Sequence, residues 1–179
     1  MARIEPIQLA QATGEARELL QGVERQLGKV PNVFKVMALS PPILKGYLEM
    51  SRSVTDAGLD PGLREQIAVA VAGINRCDYC ASAHTAVGKK RGVSAPELDI
   101  NLQARSENIK TGAVFGLVKA ILNRKGEVTD VEIDALRDAG FSDRQLVELI
   151  IYIGLSATAN YLNKIARTEI DFPLVRTTE

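Results

Sequence analysis

The chain has 179 residues, 46% of them apolar, and its 22 basic side chains balance 22 acidic ones. That length suffices for one buried core and reads as one domain. Zero net charge leaves no basic footprint for nucleic acid, and no apolar run approaches the ~18 residues a membrane span needs.

The opening MARIEPIQLAQ lacks the charged-then-apolar pattern of a secretory leader, so a soluble, cytoplasmic protein is expected. Helical signals then follow one another. Ala16, Leu19, Leu20, Val23 and Leu27 form a helical stripe within Thr13 to about Lys29. KVPNVF interrupts it, and Asn32 is placed to cap a short helix running to about Leu39. Ser40-Pro41-Pro42 starts the next helix, to about Asp56, with AGLD as its stop. Asp60 caps a fourth, with Pro61 at its first position, Glu65 on it and an apolar run to Ile74. IAVAVAGI within it reads as core rather than as a cofactor box. Another helix starts in the Cys77–Cys80 region and ends at Gly92, and Ser94 caps its successor. Residues 112–123, 129–139 and 142–168 complete the set, and Pro173 is expected to end the folded part.

No stretch sustains a period of two, so the fold class is all-α, a helical bundle of about eight or nine helices. It is divided as N-terminal helices over 1–56, a core over 57–104 that carries the cysteines, and C-terminal helices over 105–179. A faint internal repeat relates the segment from Asp56 to the segment from Asp138. It aligns Glu65 with Glu148, Cys77 with Asn160, Cys80 with Asn163 and His84 with Arg167, and it implies two similar helical hairpins.

RCDYCASAH, residues 76–84, holds both cysteines and the only histidine. Four readings compete: a zinc site, a structural disulfide, a redox dithiol and chance. A reducing cytosol disfavours the structural disulfide. Structural zinc wants four ligands, so Glu65 would have to join the other three. Cys77, Cys80 and His84 at i, i+3 and i+7 share one helical face. The cysteines also fall at a helix start, where free N–H groups and the dipole favour a thiolate. A nucleophile, a second thiol to close a disulfide and a base suit reduction of an oxidant. Glu65 is the candidate to orient His84. In an ideal hairpin, though, it stands level with residue 89, about 7–8 Å too far along the axis.

Glu65, Cys77, Cys80 and His84 in the order E–x11–C–x2–C–x3–H resemble the motif of the alkylhydroperoxidase D branch of the carboxymuconolactone decarboxylase superfamily. PNVFKVMALSPPILKGYLEM and ANYLNKIARTEIDFP are similar to the start and end of its peroxidase-related members, so the resemblance covers nearly the whole chain. It implies a single alkylhydroperoxidase D-like domain that assembles as a homo-oligomer, a trimer or hexamer. It implies reduction of hydroperoxides, organic ones favoured, by a CxxC dithiol with no cofactor and no metal. A thiol or dithiol protein would return the electrons. Cys80 corresponds to the attacking cysteine, Cys77 to the resolving one, and Glu65 and His84 to the proton relay. Tyr79 departs from the pattern, because well-known members carry a histidine there. Two rival readings are the superfamily's decarboxylase chemistry, whose members generally lack CxxC, and a redox sensor without turnover.

Overall fold

The computed structural model describes residues 2–177. It contains nine α-helices and no strand among these residues: α1 Gly14–Leu27, α2 Asn32–Met37, α3 Pro41–Asp56, α4 Pro61–Ile74, α5 Asp78–Lys90, α6 Ala95–Asn101, α7 Ile109–Asn123, α8 Asp130–Asp138 and α9 Asp143–Ala166. The all-α expectation holds, and most boundaries fall within two residues of those read from caps and prolines. Asp60 Oδ1 accepts the Leu63 N–H at 2.7 Å, and Ser94 Oγ accepts the Glu97 N–H at 3.3 Å. Both are the N-caps their sequence contexts indicate.

α4 is the central helix. Ile67, Ala68, Val69, Ala70, Val71 and Ala72 are all 0% exposed, so it is covered on every side. One apolar cluster joins α4 to α7, α8 and the first half of α9 through Ile67, Val71, Phe115, Leu136 and Leu149. A second joins α1, α2 and α3 to the later part of α9 through Leu20, Val23, Met37, Leu44 and Ala159. α9, at 24 residues, therefore spans both. A third, small cluster gathers Cys77, Tyr79 and Cys80 with Ala72 and Ala81. Glycine brings α4 against the end of α6: a Cβ on Gly73 would collide with the Leu102 carbonyl, so only hydrogen fits there.

Four expectations are corrected. Asn32 does not cap α2. Pro31, with extended ψ of 143°, takes that position. The Asn32 amide instead donates to the Glu169 carbonyl at 3.0 Å and accepts from Lys35 Nζ at 3.0 Å. α7 starts three residues earlier than expected, because Asn108 Oδ1 accepts the Thr111 N–H at 3.1 Å. The second hairpin of the repeat does not exist. Residues 143–166 form one unbroken helix, whereas the first unit breaks at Asn75–Cys77, where Arg76 adopts a left-handed φ of 52°.

Nor does Pro173 end the folded part. The Val175 N–H donates to Ser82 Oγ at 2.9 Å, and Asp78 holds the Thr177 N–H at 3.0 Å and Arg176 Nη1 at 2.9 Å. Asp78 lies in the first turn of α5, and Ser82 follows one turn on. The tail is thus strapped across the start of the cysteine helix by polar contacts that no local pattern announces.

Candidate active site

The chain leaves α4 at Ile74, turns through left-handed Arg76 and enters α5 with Cys77 as N-cap. Cys77 Sγ accepts the Cys80 N–H at 3.4 Å, and the two sulfurs lie 2.7 Å apart as free thiols. The i, i+3 spacing across a helix start brings them within reach of a disulfide with no change in helix path. Both are buried, Cys77 at 1% and Cys80 at 3% exposed. Ile170, Phe172 and Val175 of the tail help to cover the cluster.

The thiols are electrostatically unequal. Cys77 is held below the ordinary thiol range chiefly by the hydrogen bond from Cys80. Burial opposes this, and the backbone N–H, His84 and Lys164 reinforce it. Cys80 is pushed upward, first by sharing its hydrogen bond with Cys77 and then by burial. The two thiols titrate together as a pair, in which the surroundings favour charge on Cys77 over Cys80.

The carboxylate–imidazole pair forms directly. His84 Nδ1 lies 2.8 Å from Glu65 Oε2, with the carboxylate side chain 14% exposed and the imidazole 33%. The axial register was read correctly, since a Cβ on Gly88 would stand 3.5 Å from Glu65 Cβ. The gap of one turn is closed without a bridging water. The glutamate reaches along the groove between α4 and α5 to His84, while the close approach that Gly88 permits is to Leu98 of α6, whose Cδ2 would stand 2.9 Å from a Cβ there. A carboxylate on Nδ1 selects the tautomer with Nε2 free to accept a proton. Among the described residues, His84 makes no direct hydrogen bond to either sulfur.

Three further groups belong to the site and were not singled out as functional from sequence. Asn163 Nδ2 donates to Cys80 Sγ at 3.3 Å, and Asn160 also stabilises charge on that sulfur. The repeat alignment had paired these asparagines with the cysteines, and α9 brings them to the cysteines in space instead. The Tyr47 hydroxyl is pushed upward by burial and then by Cys80, so it stays protonated. Tyr79 makes no hydrogen bond to Glu65 or His84 among the described residues. Its hydroxyl accepts the Val33 N–H at 3.1 Å and its ring meets Phe172 edge-on at 5.9 Å, so it is a buried strut between α5, α2 and the tail. The zinc reading finds no support in the geometry: no three His, Cys, Asp or Glu side chains converge as a ligand set among the described residues.

An all-helical domain with a CxxC at the start of one helix and a Glu–His pair beside it defines a class of helical dithiol proteins. Residues 41–107 match the model of the carboxymuconolactone decarboxylase family, a segment that runs from α3 to the loop after α6 and includes Glu65, both cysteines and His84. That segment of the chain is similar to this family, and the nine-helix fold is shared with the solved structures that follow.

An alkylhydroperoxidase AhpD-core, peroxidase-related protein from Ralstonia eutropha JMP134 superposes with a TM-score of 0.85 at 23% identity, over 95% of this chain and 92% of that one. A peroxidase-related protein from Silicibacter sp. TM1040 gives 0.81 at 20% identity, over 93% and 90%. The debrominase Bmp8, in a complex of its cysteine-to-alanine variant with 2,3,4-tribromopyrrole, gives 0.77 at 18% identity, over 94% and 91%. No curated protein matches the chain.

Proposed function

We propose that this protein is a dithiol peroxidase of the cytosol that reduces organic hydroperoxides through a Cys77–Cys80 disulfide cycle and is re-reduced by a thiol donor. The observation that carries the reading is the thiol pair itself: two free sulfurs 2.7 Å apart at the start of a helix. Sulfurs this close can pass directly between dithiol and disulfide, which is the change a peroxide-reducing pair must make.

In the proposed cycle Cys80 is the attacking sulfur. It lies one turn from His84, and it receives the Asn163 N–H at 3.3 Å, which stabilises charge as it forms. Its proton passes to the Cys77 thiolate or, through one water, to His84 Nε2. The Cys80 thiolate attacks the peroxide oxygen, the O–O bond breaks, and the alcohol leaves with one proton. Cys77 then attacks the sulfenic acid, water departs, and the disulfide closes. Glu65 holds the imidazole and balances its charge when it carries the proton.

Free-thiol counting before and after one equivalent of cumene hydroperoxide tests the reading, and loss of both thiols with release of the alcohol is expected. In Cys77→Ser a sulfenic acid should accumulate on Cys80, and in Cys80→Ser oxidation should be slow. Oxidation of Cys77 at wild-type speed in the Cys80→Ser protein would exchange the two roles. Thiols that persist under excess hydroperoxide would refute the peroxidase.

A further inference from the structure

Outside the relay, the cysteine helix borders a second feature. A pocket of about 210 Å³, open to solvent, is lined by Arg76, Cys77, Asp78, Tyr79, Asn163, Lys164, Arg167, Thr168 and Ile170. Cys77 is among its lining residues and Cys80 is not, so of the two cysteines Cys77 is the one that borders the pocket.

Its chemistry is uneven. Arg76, Lys164 and Arg167 bring three cations to it. The one carboxylate in the lining, Asp78, is already engaged by Arg176 and Thr177. Neither Arg76 nor Arg167 has an ion-pair partner among the described residues, and both hold a left-handed φ of 52°. Two buried polar atoms of lining residues also lack a hydrogen-bond partner: Asn163 Oδ1, in a residue 4% exposed, and Thr168 Oγ1, in a residue 8% exposed. An orphaned amide oxygen is an acceptor waiting for an N–H, and unpaired guanidinium groups bind carboxylates through parallel hydrogen bonds.

We propose that this pocket binds a small carboxylate-bearing peptide thiol, of the glutathione class, and sets its sulfur on Cys77 as the electron donor of the cycle. The proposal rests on the dithiol-peroxidase reading above and names its reductant. Carboxylates meet Arg76 and Arg167, a peptide N–H meets Asn163 Oδ1, and the thiol faces the one cysteine the pocket includes. The pocket holds about 210 Å³ and is open to solvent, so such a ligand seats its thiol end there and leaves part of itself in water. The donor thiolate attacks Cys77 Sγ, the Cys77–Cys80 bond breaks, and Cys80 leaves and takes up a proton. A second donor thiolate attacks the donor sulfur of the mixed disulfide and releases Cys77 as thiolate. Two donor thiols become one donor disulfide, and the protein disulfide gains two electrons and one proton, the second proton going to solvent while Cys77 stays a thiolate. Cys77, the more acidic thiol, is a good leaving group for the second step.

The test isolates this half-reaction. The protein is oxidised to its disulfide with diamide, so no peroxide chemistry is involved. Acid-quenched mass spectrometry then follows its reduction by glutathione and by glutathione diethyl ester, which keeps the thiol and peptide but masks both carboxylates. Glutathione should be faster by about tenfold at low salt, and the advantage should shrink at high salt. In the Arg76→Asn/Arg167→Asn variant the acid-to-ester ratio should fall toward one. Asparagine tolerates the left-handed backbone and removes the charge. A ratio near one in the wild type, or a ratio that survives in the double variant, overturns the proposal. Failure of the peroxidase reading shows separately, as thiols that resist cumene hydroperoxide while the diamide-made disulfide still distinguishes the two donors.

Discussion

Cys77 owes its acidity to one neighbour. The hydrogen bond from Cys80 is the largest influence lowering it, and burial is the largest opposing one. Removing the Cys80 sulfur leaves burial in command, so Cys80→Ala should raise the apparent pKa of Cys77 above that of the wild type. The pH profile of iodoacetamide alkylation measures this. An unchanged profile would mean that the helix start, not the second thiol, sets the acidity. The relay makes a second prediction at this scale. His84→Ala and Glu65→Gln should each slow peroxide reduction by about a hundredfold at neutral pH, with partial recovery as pH rises and the thiols ionise unaided. A variant that keeps full activity at neutral pH has lost no relay group.

At the scale of elements, the site depends on how closely helices approach. Gly73 lets α4 touch the backbone at the end of α6, and a methyl there has nowhere to go, because a carbonyl cannot swing aside like a side chain. Gly73→Ala should cost about 1–3 kcal/mol, read from the denaturation midpoint. A midpoint equal to the wild type's would show that α6 can slide. Further from the site, α8 begins with a full capping box in which Thr129 Oγ1 accepts the Glu132 N–H and the Glu132 carboxylate accepts the Thr129 N–H at 2.9 Å. Arg124 adds contacts at 2.6 and 2.7 Å. Thr129→Ala should cost about 1 kcal/mol. The Thr129 N–H, with Arg124, holds the Glu132 carboxyl down at about 2, against an ordinary 4.5. A depressed folded value gives stability that is present above pH 4.5 and is lost as pH falls toward about 2. Glu132→Gln should flatten that part of the acid-denaturation curve, and a curve identical to the wild type's would remove Glu132 from the acid response.

The whole molecule leaves a stripe of apolar side chains uncovered. Val147, Ile150, Ile151, Tyr161 and Ile165 recur at helical spacing along the outer face of α9 and are 43% to 61% exposed. A surface of this kind on a small domain marks an interface. We expect a homo-oligomer, a trimer or hexamer, and Ile150→Glu/Ile151→Glu should shift it toward monomer in light scattering. A monomeric wild type at micromolar concentration would contradict the expectation. No helix among the described residues is long and apolar enough to cross a membrane, so the stripe is not a span.

Local patterns were enough for most of the elements. Prolines at first helical positions, side-chain caps at Asp60 and Ser94, and the apolar rhythm of each segment are short-range signals that act within one turn. The sequence alone also placed Cys77, Cys80 and His84 on one face, because helical spacing decides that by itself. Tertiary structure decided the rest. Glu65 reaches His84 only because α4 packs beside α5. Asn163 becomes a ligand of the Cys80 sulfur only because α9, 83 residues downstream in the chain, packs beside α5. Tyr79 turns away to the Val33 N–H, and the tail folds back onto Asp78. Each of these pairs residues far apart in the chain through the packing of two helices or a strap. Hydrophobic periodicity sets which face of a helix is buried, but not which polar group on a distant helix will meet it there.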